Sequence, residues 1–355
     1  MVKGNYIINT YIEKEDGAYF VPANREVLIK YSFERQEEIM IKNTPPCSFK
    51  GLNPYIAIQE CDNKIVIIPN HSDKFLVYNI VDGEFNQFNI PMDNIECHPW
   101  GYFSRGYVYK DNVYVVGYIY PGIVKINIQD NTCKTVVNLS NKDRKDRDSC
   151  FSYDSVVIDN NIFMLVKDEN MLFKYDMQSE SEEWIELQGD NDNQYLTIAA
   201  KGNSLWMVGN QGSILVYNTE EREFFHTKKR LALNSNKYIY SIISDNYLLL
   251  GADNEAPLFM ISIDNRIGPE ILWMDKIRGK GYSIFGFSKN KQGKVIFLEK
   301  NTQVNYLVDP KKKQVEKLLI PADTEKLLAM GVIQANKKIS ENDMSLKEFI
   351  TYVVK

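Results

Sequence analysis

Leu215-Val216-Tyr217-Asn218 is one of seven stretches built to a common pattern. The others are Leu28-Ile29-Lys30-Tyr31, Leu76-Val77-Tyr78-Asn79, Ile123-Val124-Lys125-Ile126, Leu172-Phe173-Lys174-Tyr175, Phe259-Met260-Ile261 and Val304-Asn305-Tyr306. Each is an apolar run that ends in one anchor residue and then breaks into polar turn formers. The anchors are Tyr31, Tyr78, Ile126, Tyr175, Tyr217, Ile261 and Tyr306, and they recur every 42 to 49 residues. A repeat of this length made of four short strands is the mark of a β-propeller blade.

The second repeat shows the four strands most plainly. Residues 55–58, 65–68, 75–78 and 85–90 are rich in Ile, Val, Tyr and Phe, and Asp62-Asn63 and Asp82-Gly83 separate two of the pairs. Such runs, punctuated by Asn, Asp and Gly, are what strands and hairpins require. The first turn recurs as Glu15-Asp16-Gly17, Asp111-Asn112, Asp159-Asn160, Gly202-Asn203, Asp245-Asn246 and Lys291-Gln292-Gly293. Tight hairpins need positive φ, which these residue types tolerate. The expected fold is therefore all-β: a seven-bladed propeller of four-stranded antiparallel blades. The blades fall at 5–42, 54–91, 102–140, 150–189, 195–232, 238–275 and 282–321. Each is expected to own its four strands, with no terminal strand borrowed to close the ring; the alternative is closure by a swapped N-terminal strand.

Residues 322–355 form a separate C-terminal helical tail. Residues 323–337 carry Leu327, Leu328, Val332 and Ile333, with Gly331 as a weakening residue. Ser345-Leu346-Lys347-Glu348 reads as a capping box, and Leu346, Phe349, Ile350 and Val353 follow as one apolar stripe. A helix over 345–355 is too short to stand alone in water. It is expected to dock on the propeller or to serve as a handle for a partner protein.

The architecture resembles that of kelch-like and WD-repeat propellers. Leu172-Phe173-Lys174-Tyr175-Asp176 followed by Trp184 is similar to the tyrosine-then-tryptophan half of a kelch motif. The kelch Gly-Gly pair and the terminal Trp-Asp are missing, so the resemblance is architectural. It implies recognition of a protein, peptide or glycan on one ring face, and it carries over no catalytic residue.

Composition narrows the function further. Net charge is −5, from 42 Lys+Arg against 47 Asp+Glu. That balance argues against a phosphate-binding surface and against a nucleic-acid partner. No segment approaches the length of a membrane span, and Met1-Val2-Lys3-Gly4-Asn5-Tyr6 has no apolar leader core, so no membrane association is expected. Cys47, Cys61, Cys97, Cys133 and Cys150 are scattered without a CxxC pair, which fits free thiols in the cytoplasm. His71, His98 and His226 have no metal-ligand spacing, and no nucleophile elbow, Walker loop or GxGxxG cradle occurs. No metal, cofactor or catalytic residue is assigned.

Binding candidates come from the start of each repeat's first strand. Tyr6, Tyr55, Tyr102, Tyr153, Tyr195, Tyr238 and Tyr282 precede their anchors by 22 to 25 residues. They are expected to form a ring of phenols at the mouth of the central channel, or to wedge neighbouring blades. His98, Trp100 and Arg105 cluster at one blade's beginning, and Asp154, Lys237, Arg278 and Lys280 sit at the same level in others. The long connections 91–101 and 141–149 open on that face, and six of the seven second-to-third-strand loops carry Asn: Asn24, Asn70, Asn170, Asn210, Asn254 and Asn301. The expected function is a non-catalytic recognition module; the alternative is a propeller hydrolase or lyase with carboxylates converging on the channel mouth.

Overall fold

Positive-φ turns organise every blade. The first residue after the first strand lies in the left-handed region at Asp62, Lys110, Asp159, Gly202 and Asp245, with φ between 51° and 56°. Asp and Gly accept this readily. At Lys110 the hairpin imposes it, because Asn112 already pairs with Tyr109 and the turn is Lys110-Asp111, one residue earlier than the sequence suggested.

The computed structural model describes residues 4–23, 25–46, 54–92, 101–139, 151–167, 169–188, 194–227, 230–231, 237–263, 270–273 and 281–331. They form seven four-stranded antiparallel sheets, each taking its strands A to D from consecutive chain. The A strands are Ile8–Lys14, Tyr55–Cys61, Phe103–Tyr109, Phe151–Ile158, Tyr195–Lys201, Tyr238–Ser244 and Ile284–Lys289. Neighbouring A strands lie side by side around the axis, and the seventh meets the first. The anchors sit on the C strands as expected for six blades. In blade 7 the register puts Val308 in that place, paired with Val295 and Val315 as Tyr78 is with Ile65 and Phe85.

Six apolar cores lie between neighbouring blades and hold the wedges together. The core at the seam between blades 7 and 1 is built differently. Tyr6, Ile8, Phe20, Val27, Ile29 and Tyr31 of the first repeat pack there against Ile320, Ala322 and Leu327. Leu327 belongs to the helix Thr324–Ala329, whose N-cap Asp323 accepts a hydrogen bond from the Lys326 amide at 3.0 Å. Gly331, at φ 71°, follows it. The helix is shorter than the 323–337 segment expected, of which 332–337 lie outside the described residues, as does the 345–355 segment.

Closure uses no borrowed blade strand. Gly4–Asn5 pairs with Pro321–Ala322 in a two-stranded clasp. Closer to the axis, buried Asn305 imitates a strand: its Oδ1 accepts from the Ile8 amide at 2.9 Å, and its Nδ2 donates to the Ile8 carbonyl at 2.6 Å. One side chain thereby satisfies two backbone groups that the seam would otherwise bury unpaired.

Asn305→Leu strands both Ile8 groups and should lower unfolding stability by about 2 kcal/mol or more, read from the urea midpoint. Burial pushes the Cys133 thiol up to about 12. Its thiolate fraction at pH 8 is therefore ~10⁻⁴, and alkylation of Cys133 should be far slower in the native protein than in urea, read by mass spectrometry.

Candidate functional site

Each A strand carries a register shift against its B strand, and these bulges shape the channel. A bulge re-aims the side chain beside it. Ala57, Arg105, Thr197, Tyr240 and Phe285 pair with the penultimate residue of their B strands, and in blades 1 and 4 Thr10 and Asp154 are the last residues of the bulges that face that position. These seven form a ring around the axis. Blade 4 departs most, because Ser152, Tyr153 and Asp154 together face Leu165 alone, between the pairs Phe151–Val166 and Ser155–Met164. The widened bulge carries Tyr153 and Asp154 toward the centre.

The result is an axial cavity of about 430 Å³ bounded by the A strands of blades 1, 2, 3, 4, 6 and 7. Six of the seven ring residues line it, with Asn9, Glu60, Tyr107, Tyr153 and Gly286 among their neighbours. Gly286 has φ 72° and open space where a Cβ would stand, so the blade 7 bulge is a position that glycine suits. Thr197 lies behind Asp154, fully buried.

Asp154 is the centre of the arrangement. It is 1 % exposed, and its Oδ1 accepts from Arg105 Nη2 of blade 3 at 3.0 Å. Its Oδ2 accepts from Thr197 Oγ1 of blade 5 at 2.7 Å and from the Ser241 amide of blade 6 at 2.5 Å. One carboxylate thus ties four blades. Burial pushes the Asp154 carboxyl above its ordinary value, against the pull of Arg105, Thr197 and Ser241. Burial also opposes charge on the Arg105 guanidinium, but the Asp154 carboxylate together with Tyr107 and Tyr153 outweighs this and leaves Arg105 above its ordinary value. Tyr107 stands beside the pair, its hydroxyl 2.9 Å from Ser155 Oγ.

Opposite lies an aromatic wall. Tyr153 meets Tyr240 edge-on at 4.7 Å, and Phe285 stands 6.3 Å and 6.4 Å from the two rings. Burial raises both phenols, so they remain protonated and uncharged at neutral pH. Lys300 covers Phe285 at 5.5 Å and pairs with Asp253.

Among the expected binding residues, Arg105 and Asp154 come together as an ion pair, and Tyr153 reaches the cavity. The other six phenols are placed elsewhere: Tyr6, Tyr55, Tyr102, Tyr195, Tyr238 and Tyr282 are buried in the cores at the blade junctions. The expected ring at the channel mouth is thus replaced by wedging, the other arrangement considered above. The reason is register. Tyr55, Tyr195 and Tyr238 begin their strands ahead of the bulge, paired with Pro69, Gly209 and Ala252, whereas Tyr153 falls within one. Phe151, paired with Val166, holds the corresponding place in blade 4. His98, Trp100, Arg278 and Lys280 lie outside the described residues, and Lys237 is exposed. Asn24 is also outside them, whereas Asn70 is buried and Asn210 accepts from the Gln194 amide at 3.3 Å, a bond between two loops.

Sequence reading missed Asn9, Thr10, Ala57, Thr197, Tyr240 and Phe285. A signal existed. Counting back five residues from the first turn residue read in the sequence lands on the ring at Thr10, Ala57, Asp154, Thr197 and Tyr240, and one residue late, at Gly106 and Gly286, in the two blades whose strands end earlier than expected.

No group of three His, Cys, Asp or Glu residues among the described residues could hold a metal ion. No described helix is long and apolar enough to cross a membrane.

No protein-family model matches the chain. No curated protein matches it in sequence. Solved structures do match in fold. A computationally designed protein, Ika8, is 13 % identical with TM-score 0.57, covering 89 % of this chain and 88 % of that one. Virginiamycin B lyase from Staphylococcus aureus is 14 % identical with TM-score 0.55, covering 84 % and 92 %. The WD40 repeats of RRP9 are 8 % identical with TM-score 0.54, covering 83 % and 87 %. At such identities the likeness is one of fold: this chain is a seven-bladed propeller similar to both an enzyme and a WD40 protein.

The hub makes a direct prediction. Asp154→Ala leaves Arg105 and the Ser241 amide without their acceptor and should cost about 3 kcal/mol or more in urea unfolding. The double replacement Arg105→Met with Asp154→Leu should recover only the part due to the unpaired Arg105 charge, because the Ser241 amide still lacks its acceptor.

Proposed function

We propose that the chain is a non-catalytic recognition module whose ligand enters from the face formed by the D–A and B–C loops and sits in the axial cavity. The observation that carries this reading is the cavity itself, where an Arg105–Asp154 pair faces the wall of Tyr153, Tyr240 and Phe285. Its volume of about 430 Å³ falls in the usual range for small-ligand sites, which combine apolar walls with a few placed polar groups. A small molecule, or the end of a peptide or glycan, fits that space. The free thiols of Cys61 and Cys133 suit a cytoplasmic setting.

The hydrolase or lyase alternative calls for a carboxylate free to move protons. Both Asp154 oxygens already accept hydrogen bonds, and Glu60, the other carboxylate of the wall, pairs with Lys14. That arrangement favours holding a ligand over transforming it.

The test is a thermal-shift screen of small metabolites, short peptides and oligosaccharides against the protein and its Ala57→Phe variant. This substitution places in blade 2 the side chain that blade 7 already has in the ring, which fills the cavity and spares the ion pair. Compounds that stabilise the protein should lose their effect in Ala57→Phe and keep it in Val81→Ala, an exposed control. Ligands that stabilise all three proteins equally would remove the cavity from the reading.

A further inference from the structure

We infer that the ligand of the axial cavity is a small amphipathic carboxylate carrying a ring and an amide. The carboxylate would sit on Arg105, the ring against Tyr153, Tyr240 and Phe285, and the amide against Asn9. This rests on the recognition reading above and deepens it.

The groups lining the cavity differ in how far their hydrogen bonds are satisfied. Asp154 has no acceptor to spare, since it is 1 % exposed and both oxygens are occupied. Glu60 is paired with Lys14. Arg105 is different. Its side chain is 31 % exposed, it lines the cavity, and its one ion pair uses only Nη2. No further acceptor among the described residues engages the guanidinium, so its remaining N–H groups are available in a fork that matches a carboxylate.

Asn9 supplies the second, independent observation. It is the additional residue of the blade 1 bulge and lies on the cavity wall, 9 % exposed. Neither its Oδ1 nor its Nδ2 has a hydrogen-bond partner. A buried amide with both ends unsatisfied is costly, and such groups in native proteins call for a reason. A ligand amide, with a donor beside an acceptor, satisfies both ends together.

The ligand's charge and body follow. Arg105 already shares its charge with Asp154, which suits a single negative charge better than a phosphate dianion. A cation would meet Arg105 inside the cavity and Lys300 behind Phe285. The ring faces of Tyr153, Tyr240 and Phe285 form an apolar surface for a planar ring.

Isothermal titration with a matched pair of probes tests the assignment. N-acetyl-L-phenylalanine carries all three features, and N-acetyl-L-phenylalanine amide lacks only the negative charge. The acid should bind roughly tenfold tighter than the amide or better, the size of a charge-assisted hydrogen bond. Arg105→Lys, which keeps the pair with Asp154 but loses the fork, should narrow that ratio. Asn9→Ala breaks no bond within the protein and removes an unsatisfied buried amide, so it should weaken both probes about equally while raising the thermal midpoint of the ligand-free protein. Equal affinity for acid and amide would overturn the carboxylate assignment while leaving the cavity as the binding site. Failure of both probes to bind at millimolar concentration would overturn the ligand class. The recognition reading would then stand or fall on the separate loss of screened ligands in Ala57→Phe.

Discussion

A ring of wedges must meet itself, and that requirement governs this molecule more than any other. Each blade is a small twisted sheet that cannot bury its own flat faces, so stability comes from the junctions. Six junctions are filled alike, by side chains of two neighbouring blades. At the seventh, the first repeat packs against Ile320, Ala322 and Leu327. Asn305 supplies the backbone pairing that a shared strand would have given. The sheets are held at their outer faces by apolar area and near the axis by polar contacts.

Asp154 takes that second role furthest. Equivalent positions on neighbouring A strands become neighbours in space, so residues 43 to 49 apart in sequence can bond directly. The enlarged bulge of blade 4 brings the carboxylate past blade 5 to the Ser241 amide of blade 6. The binding surface is therefore asymmetric although the scaffold is nearly symmetric. Charge gathers where blades 3 and 4 meet, and aromatic rings gather along blades 4, 6 and 7. The identity of the residue at each ring position creates this difference, and the enlarged bulge of blade 4 adds Tyr153 to it.

The sequence made the blades legible because three signals agreed: strand composition, turn chemistry and anchor spacing. The seventh anchor was misread because Tyr306 looks like its counterparts, while the longer turn at Asn290 moves the register to Val308. Arg105 and Asp154 were legible as charged residues at one level of the ring, and the structure joins them. The phenol ring was not. Tyr55, Tyr195 and Tyr238 are aligned by their distance to the anchors, but side-chain direction depends on which side of a bulge a residue stands. A bulge leaves little trace in composition; it shows only when residues are counted from the turn instead of from the anchor. Asn9 was invisible for a different reason, because an unsatisfied amide is a property of its surroundings.

Every blade is drawn from one unbroken length of chain, and the seam is sealed by side chains and a two-residue clasp. Such a ring has no interlocked strand to be divided when its gene is altered. Whole repeats can be duplicated, exchanged or recombined at the connections between blades without splitting a sheet. What each new junction must supply is a filled interface and, at the axis, partners for the residue that its strand presents.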